Sequence, residues 1–231
     1  MLNITRCLLF FMVLAVFICF IPVENQNPNR QNQWSPEEIS LTNTAVDCSY
    51  LSDNEKLTVQ YCNLVRLFPQ KFAEVELKPY LLEKKLTKNS YAESLLMDLK
   101  KMKSINVLKV DSVLFEKAKS FAIISGEKGQ VGHFNFNNRM KGYLLAGENC
   151  DYGHQNALDI VMSLLIDEDV QNLGHRKNIL NPEFVNIGIS IQAHKKYNYL
   201  CVMDFTGKDV SNNKSSNKSK YSKKKKKYLH F

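Results

Sequence analysis

The stretch VNIGISIQAHKKYNYLCVMDF, residues 185–205, constrains the fold class more than any other part of the chain. Two segments rich in β-branched and aromatic residues flank QAHKKY, which reads as a β-hairpin with a longish loop. The periodic sequence before it is helical. Ser52 and Glu55 form a capping box, Leu57, Tyr61, Leu64, Val65 and Phe68 recur at helical spacing, and Pro69 ends the run. Further helices are expected around 90–103 and 112–124, the second with Leu114, Ala118, Phe121 and Ala122 on one face and a stop at Gly126. The strongest amphipathic helix is expected over 155–168, where Ala157, Ile160, Val161, Leu164 and Leu165 make an apolar stripe. Helices first and a hairpin last indicate an α+β fold, not alternating βαβ units. Residues 126–149 are expected to be mostly loop, because SGEKGQVGHFNFNNRMKGYLLAGENC has five glycines and several asparagines.

The two ends differ from this body. Met1–Arg6 is short and basic, and Cys7–Val23 is almost unbroken apolar sequence, the pattern of a secretory signal peptide spanning residues 1–23. An uncleaved anchor is the rival reading, because the run approaches bilayer-spanning length. Residues 24–45 are polar and rich in Asn and Gln and read as a linker. Residues 46–206 then form the domain, and 207–231 are expected to be a disordered Lys-rich tail. Asn213-Lys-Ser and Asn217-Lys-Ser in that tail are glycosylation acceptors if the chain is secreted.

Charge follows the same division. From residue 206 onward there are nine of the 31 basic residues and one of the 23 acids, which leaves 22 of each before it. The body is therefore neutral, and the net charge of +8 does not argue for a nucleic-acid-binding fold. The run YSKKKKKYLHF reads as a solvated tail or as an electrostatic tether to acidic lipids or anionic glycans.

Cys48, Cys62, Cys150 and Cys201 lie outside the leader. In an oxidising compartment four cysteines suggest two disulfides with three connectivities, of which 48–62 with 150–201 is favoured by proximity in sequence. No pair has the CxxC spacing of a zinc ribbon or a thioredoxin-like site.

Polar groups able to do chemistry concentrate between 126 and 176. His133 and His175 each follow a glycine, Glu148 sits in AGENCDYG, and Asp167, Glu168 and Asp169 end the strongest helix. Two imidazoles with carboxylates are the donor set of a zinc-like ion and of general acid–base work. Spacing alone favours a plainer reading, a histidine beside a glycine capping a loop, because no HExxH-like motif joins them.

The ordered set GEN (147–149), GHRKNILNP (174–182) and a final strand ending in DF (204–205) resembles the second half of a CAP domain, also called SCP, in its bacterial-type branch. This is the superfamily of cysteine-rich secretory proteins, antigen 5 and pathogenesis-related proteins. Weaker similarity reaches upstream, with Asn63 and Arg66 matching an Asn-x-x-Arg in the first helix and GQVGHFNF matching a histidine-bearing loop. The resemblance implies a three-layer α-β-α sandwich with an open cleft. It places His133, Glu148, Asp167 and His175 there as a set able to bind zinc, and supports a Cys150–Cys201 bridge. Asp167 is shorter than the glutamate many members carry. Cys62 stands where some members have a histidine.

The function this implies is a secreted, non-catalytic module that binds an extracellular partner or a sterol- or lipid-like ligand, with optional Zn2+ in the cleft. The alternatives are a zinc- or acid–base-dependent hydrolase using the same groups, and a scaffold for the basic tether.

Overall fold

The computed structural model describes residues 33–208 and 227–230. The expected signal peptide, the sequons at Asn213 and Asn217 and most of the Lys-rich tail lie outside these residues. Among the described residues no helix is long and apolar enough to cross a membrane.

The first element corrects the linker expectation for 24–45. Pro36–Thr42 is a helix, α1, opened by a capping box in which Ser35 accepts from the Glu38 N–H and Glu38 accepts from the Ser35 N–H. Its anchor is non-local: Trp34 is buried, and its indole N–H donates to Glu76 Oε1 at 2.8 Å. Helix α2, Asp53–Leu67, has the expected Ser52–Glu55 box. It is followed by α3 (Pro69–Phe72), a π turn over Ala73–Leu77 and α4 (Lys78–Glu83). Then come α5 (Ser90–Lys101) and α6 (Ser112–Lys128). Within the segment expected to be loop, the chain forms the end of α6, a short helix α7 (Phe136–Arg139) and most of strand β2 (Leu145–Tyr152). Helices α8 (Ala157–Ile166) and α9 (Gly174–Ile179) lead into the hairpin β3 (Phe184–His194) and β4 (Asn198–Gly207).

With β1 (Lys109–Val110) and β5 (Lys227–His230) these strands make one sheet in the order β1-β3-β4-β2-β5. β2 pairs antiparallel with β4, and β5 pairs parallel with β2. The last residues of the supposedly disordered tail are therefore an edge strand. Lys, Tyr and Leu here carry no strong strand signal of their own; the β2 ladder supplies it.

Alternation assigns the faces. Ile187, Ile189, Cys201, Met203 and Phe205 join α2, α5 and α8 in the main core. Cys150, Leu200 and Val202 pack on Ala118, Phe121 and Ala122 of α6. Helices thus cover both faces of the sheet, giving the α-β-α sandwich. Gly188 marks how closely α6 approaches: a Cβ there would lie 2.1 Å from the Leu114 carbonyl carbon.

The same alternation corrects the disulfide expectation. Cys48, Cys62, Cys150 and Cys201 are all free. Cys150 pairs with Val202, and Cys201 pairs with Asp151, so the two thiols point to opposite faces of the sheet. Cys62 lies ten residues beyond the cap Ser52, about 15 Å along the helix axis, while Cys48 sits in the turn before that cap.

Candidate functional site

The loop that carries His133 starts where α6 ends, at Gly129 in the left-handed region with φ of 62°. Tyr152 on β2 holds it down, its hydroxyl accepting from the Gly132 N–H at 2.9 Å. His133 is thereby laid over β2, with Nδ1 2.7 Å from Glu148 Oε1. The glutamate side chain is 0% exposed and the imidazole 13%, so solvent reaches this pair through the ring. A carboxylate accepts, so Nδ1–H donates.

Glu148 has a second partner that sequence reasoning missed. Arg139, at the end of α7, donates from Nη2 to Oε2 and places Nη1 3.6 Å from Asp204 Oδ2. Its guanidinium is seated 3.8 Å from the Phe121 ring centroid. Asp204 opposes Glu148 directly across β2 and β4. It is fully buried, and neither of its oxygens receives a hydrogen bond. Burial, then the charge of Glu148, holds its carboxyl well above the ordinary 3.8, with Arg139 pulling the other way. The final DF is visible in the sequence, but nothing local says which strand Asp204 faces.

Cys150 lies two residues beyond Glu148 on the same face, its Sγ 3.7 Å from His133 Nδ1. Burial and the nearby charges of Glu148 and Asp204 push the thiol well above its usual range, so it is a neutral S–H and not a ready nucleophile. His133, Glu148 and Cys150 offer ligand atoms all within 4.8 Å of one another, the one such group among the described residues.

Asp167 and His175 form a separate pair. Asp167 caps α8 in the left-handed region, where aspartate is tolerated, and its short side chain reaches His175 Nδ1 at 2.7 Å. Its other oxygen accepts from the His175 and Arg176 N–H groups. His175 is 14% exposed and Asp167 1%. This pair belongs to the helix layer over the main core, whereas Glu148 and Cys150 face α6. The four expected residues make two carboxylate–imidazole pairs, His133 with Glu148 and His175 with Asp167. Asn149 and Asn178 join them: Asn149 donates to the His175 carbonyl at 3.0 Å, and Asn178 donates to Asn149 Oδ1 at 2.8 Å.

Three other polar residues are structural. The Arg176 guanidinium does not pair with the 167–169 patch; it is buried, binds Asp98 at 2.9 Å and caps the Leu165, Ile166 and Tyr91 carbonyls. His194, expected at the surface, is buried at the hairpin turn, where Nδ1 accepts from the Lys196 and Tyr197 N–H groups and Nε2 donates to the Gln130 carbonyl. His154 stays half-exposed beside Asp151. Among the described residues, one cavity of about 570 Å³ lies beside Arg176, Leu180 and Leu229, and another of about 700 Å³ beside Gly126, His194 and Tyr199.

Residues 59–205 match the family model described as CAP, the cysteine-rich secretory protein family. Among solved structures, an outer surface protein from Borrelia burgdorferi is 21% identical, with a TM-score of 0.38 over 55% of this chain and 95% of that one. Venom allergen-like protein 4 from Schistosoma mansoni is 16% identical, with a TM-score of 0.44 over 69% of this chain and 91% of that one. No curated protein sequence matches.

Proposed function

The chain belongs to the CAP, or cysteine-rich secretory protein, family, and from that premise we propose that it is a secreted, non-catalytic binding module. Residues 1–23 act as a leader that is removed, the sandwich binds an extracellular protein or a sterol- or lipid-like ligand, and the cleft around His133 accepts a zinc-class ion. The observation that carries this reading is the state of Glu148. Its carboxylate is fully buried and already engaged by His133 and Arg139, which suits holding a fixed geometry and not taking a proton from water. The nearest nucleophile type, the Cys150 thiol, is kept neutral by burial. Hydrolysis therefore has a weaker basis here than binding.

The test is expression of the full chain in a secreting host. The protein should appear in the medium with its N-terminus near residue 24, and it should retain a fluorescent sterol or fatty acid, or an extracellular protein, on gel filtration. Retention of the leader in the membrane overturns the secretion part. Turnover of peptide, lipid or glycan substrates that disappears in His175→Ala overturns the non-catalytic part.

A further inference from the structure

We propose that the hollow between the end of α5, α9 and β5 is a docking site for an extended acidic peptide segment of a partner protein, which adds as a strand to the open edge of β5. The inference rests on the reading of the chain as a binding module, and names where a protein partner docks and what chemistry it presents. It uses none of the His133, Glu148, Asp167 and His175 side chains.

The hollow, of about 570 Å³, combines an apolar floor with a basic rim. Met102, Leu180 and Leu229 are half-buried and pack against the main core, so they supply the floor. Lys101, Lys177 and Lys227 are exposed and line the same hollow. They come from α5, α9 and β5, so the fold and not a run in the sequence brings their charges together. Among the described residues none of these lysines forms an ion pair, while Asp98, the acid in the lining, is bound to Arg176 at 2.9 Å. Asp98 and Arg176 offset each other, which leaves the rim with the charge of its lysines. An acidic partner is the complement.

The strand edge beside the hollow selects a peptide. β5 ends the strand order, and among the described residues it pairs only with β2. The Lys227 N–H donates to the Leu144 carbonyl at 2.9 Å, so that amide faces β2. Backbone groups alternate along a strand in a parallel ladder, which turns the Tyr228 N–H and C=O toward the open side. An incoming strand satisfies them by main-chain pairing, while its alternate side chains confer specificity. Lys227 and Leu229 are two residues apart, share one face of β5 and both line the hollow. A peptide laid along this edge sends every second side chain over that face. An apolar side chain there meets the floor, and an acid two residues to either side meets the rim. Edge lysines discourage pairing with apolar or basic strands, and a partner's carboxylates turn that repulsion into attraction. A lipid headgroup matches the lysines but carries no main chain for the edge.

The test uses the purified full chain and a fluorescein-labelled peptide, Thr-Glu-Thr-Leu-Thr-Glu-Thr amide, followed by fluorescence anisotropy. Binding should saturate and weaken with added salt, and the same peptide with Lys in place of Glu should not bind. Lys101→Glu combined with Lys177→Glu, both at exposed positions that folding tolerates, should weaken binding about tenfold or more. Lys223→Ser, Lys224→Ser, Lys225→Ser and Lys226→Ser together should leave the affinity within about threefold, because a tail that merely attracts acids is not the site. Two further peptides carry backbone N-methyl groups on alternate residues. One pattern should abolish binding and the other spare it, since alternate N–H groups of an added strand face its neighbour. No saturable binding, loss on changing the tail lysines but not Lys101 and Lys177, or equal tolerance of the two methylation patterns would each overturn the proposal. So would capture of phosphatidylserine vesicles, through Lys101 and Lys177, by a protein that does not bind the peptide. None of these readouts depends on export or on a sterol or fatty acid, so this proposal can fail while the binding-module reading stands.

Discussion

Glu148 and Asp204 face each other across β2 and β4, both wholly buried, with the single guanidinium of Arg139 reaching toward both. Two carboxylates in that position do not ionise together at low cost, and burial, then the charge of Glu148, raises the Asp204 carboxyl well above its ordinary pKa.

A pH signature follows for Asp204. A carboxyl whose pKa is raised in the fold contributes stability that is fully present below its unfolded value, near 4, and is lost as pH rises through the folded value. Asp204→Asn resembles the protonated form at every pH. Its Tm should therefore exceed that of the wild type at pH 8, with the gap narrowing as pH falls toward 4. Calorimetry of metal-free protein across that range checks it; a gap that widens on acidification contradicts the assignment.

Arg66 yields a prediction about the core. It is fully buried in α2 and donates to the carbonyls of Asn106, Ile179, Asn181 and Phe184, which pins the turn at Asn181-Pro182 to the helix. Burial lowers its pKa to about 10, still far above neutrality. Arg66→Met keeps much of the volume but leaves buried acceptors unpaired. Such a loss costs about 3 kcal/mol or more, measurable as a lower urea midpoint with an unchanged slope.

Local signals explain which parts of this fold are legible in the sequence. The α2 helix has its cap, its period and its Pro69 stop in one stretch, and the hairpin has two β-rich runs side by side. The α1 helix and the β5 strand depend on partners far along the chain, Trp34 on Glu76 and Lys227–His230 on β2, so composition makes them look like linker and tail. The site divides the same way. Motif resemblance marks His133, Glu148, Asp167 and His175, but Arg139 and Asp204 reach Glu148 only through a short helix and a strand register. Sequence spacing gives Cys150 the wrong partner for the same reason, because it does not say which face of a strand a thiol occupies.

Gly188 is a point where that register can be tested. An added Cβ would meet the Leu114 carbonyl carbon at 2.1 Å and the Phe115 nitrogen at 2.4 Å, both backbone atoms of α6 that cannot rotate away. Overpacking usually costs about 1–3 kcal/mol, and a backbone obstacle puts Gly188→Ala at the upper end or beyond. Gly132→Ala, on an open loop with nothing within 4 Å of the added carbon, is the comparison. Its left-handed φ of 109° still imposes a strain of about 1 kcal/mol or more. Guanidinium melts should therefore rank Gly188→Ala well below Gly132→Ala; the reverse order would mean that β3 does not lie against α6 as described.

The cysteines give the last prediction, and it bears on how the fold is held together. Cys62, Cys150 and Cys201 are buried and Cys48 is half-buried, all as free thiols. Burial pushes the Cys62 thiol up to about 12, and Cys150 and Cys201 are also raised. Thiolate is the reactive form, so all three should resist alkylation in the native protein at neutral pH, and Cys48 should label first. In denaturant without reductant, peptides carrying each of the four should all be alkylated, even for protein recovered from an oxidising medium. A Cys150–Cys201 crosslink in the mass spectrum would require β2 and β4 to slip by one residue, which would turn Glu148 away from His133 and dismantle the site described above.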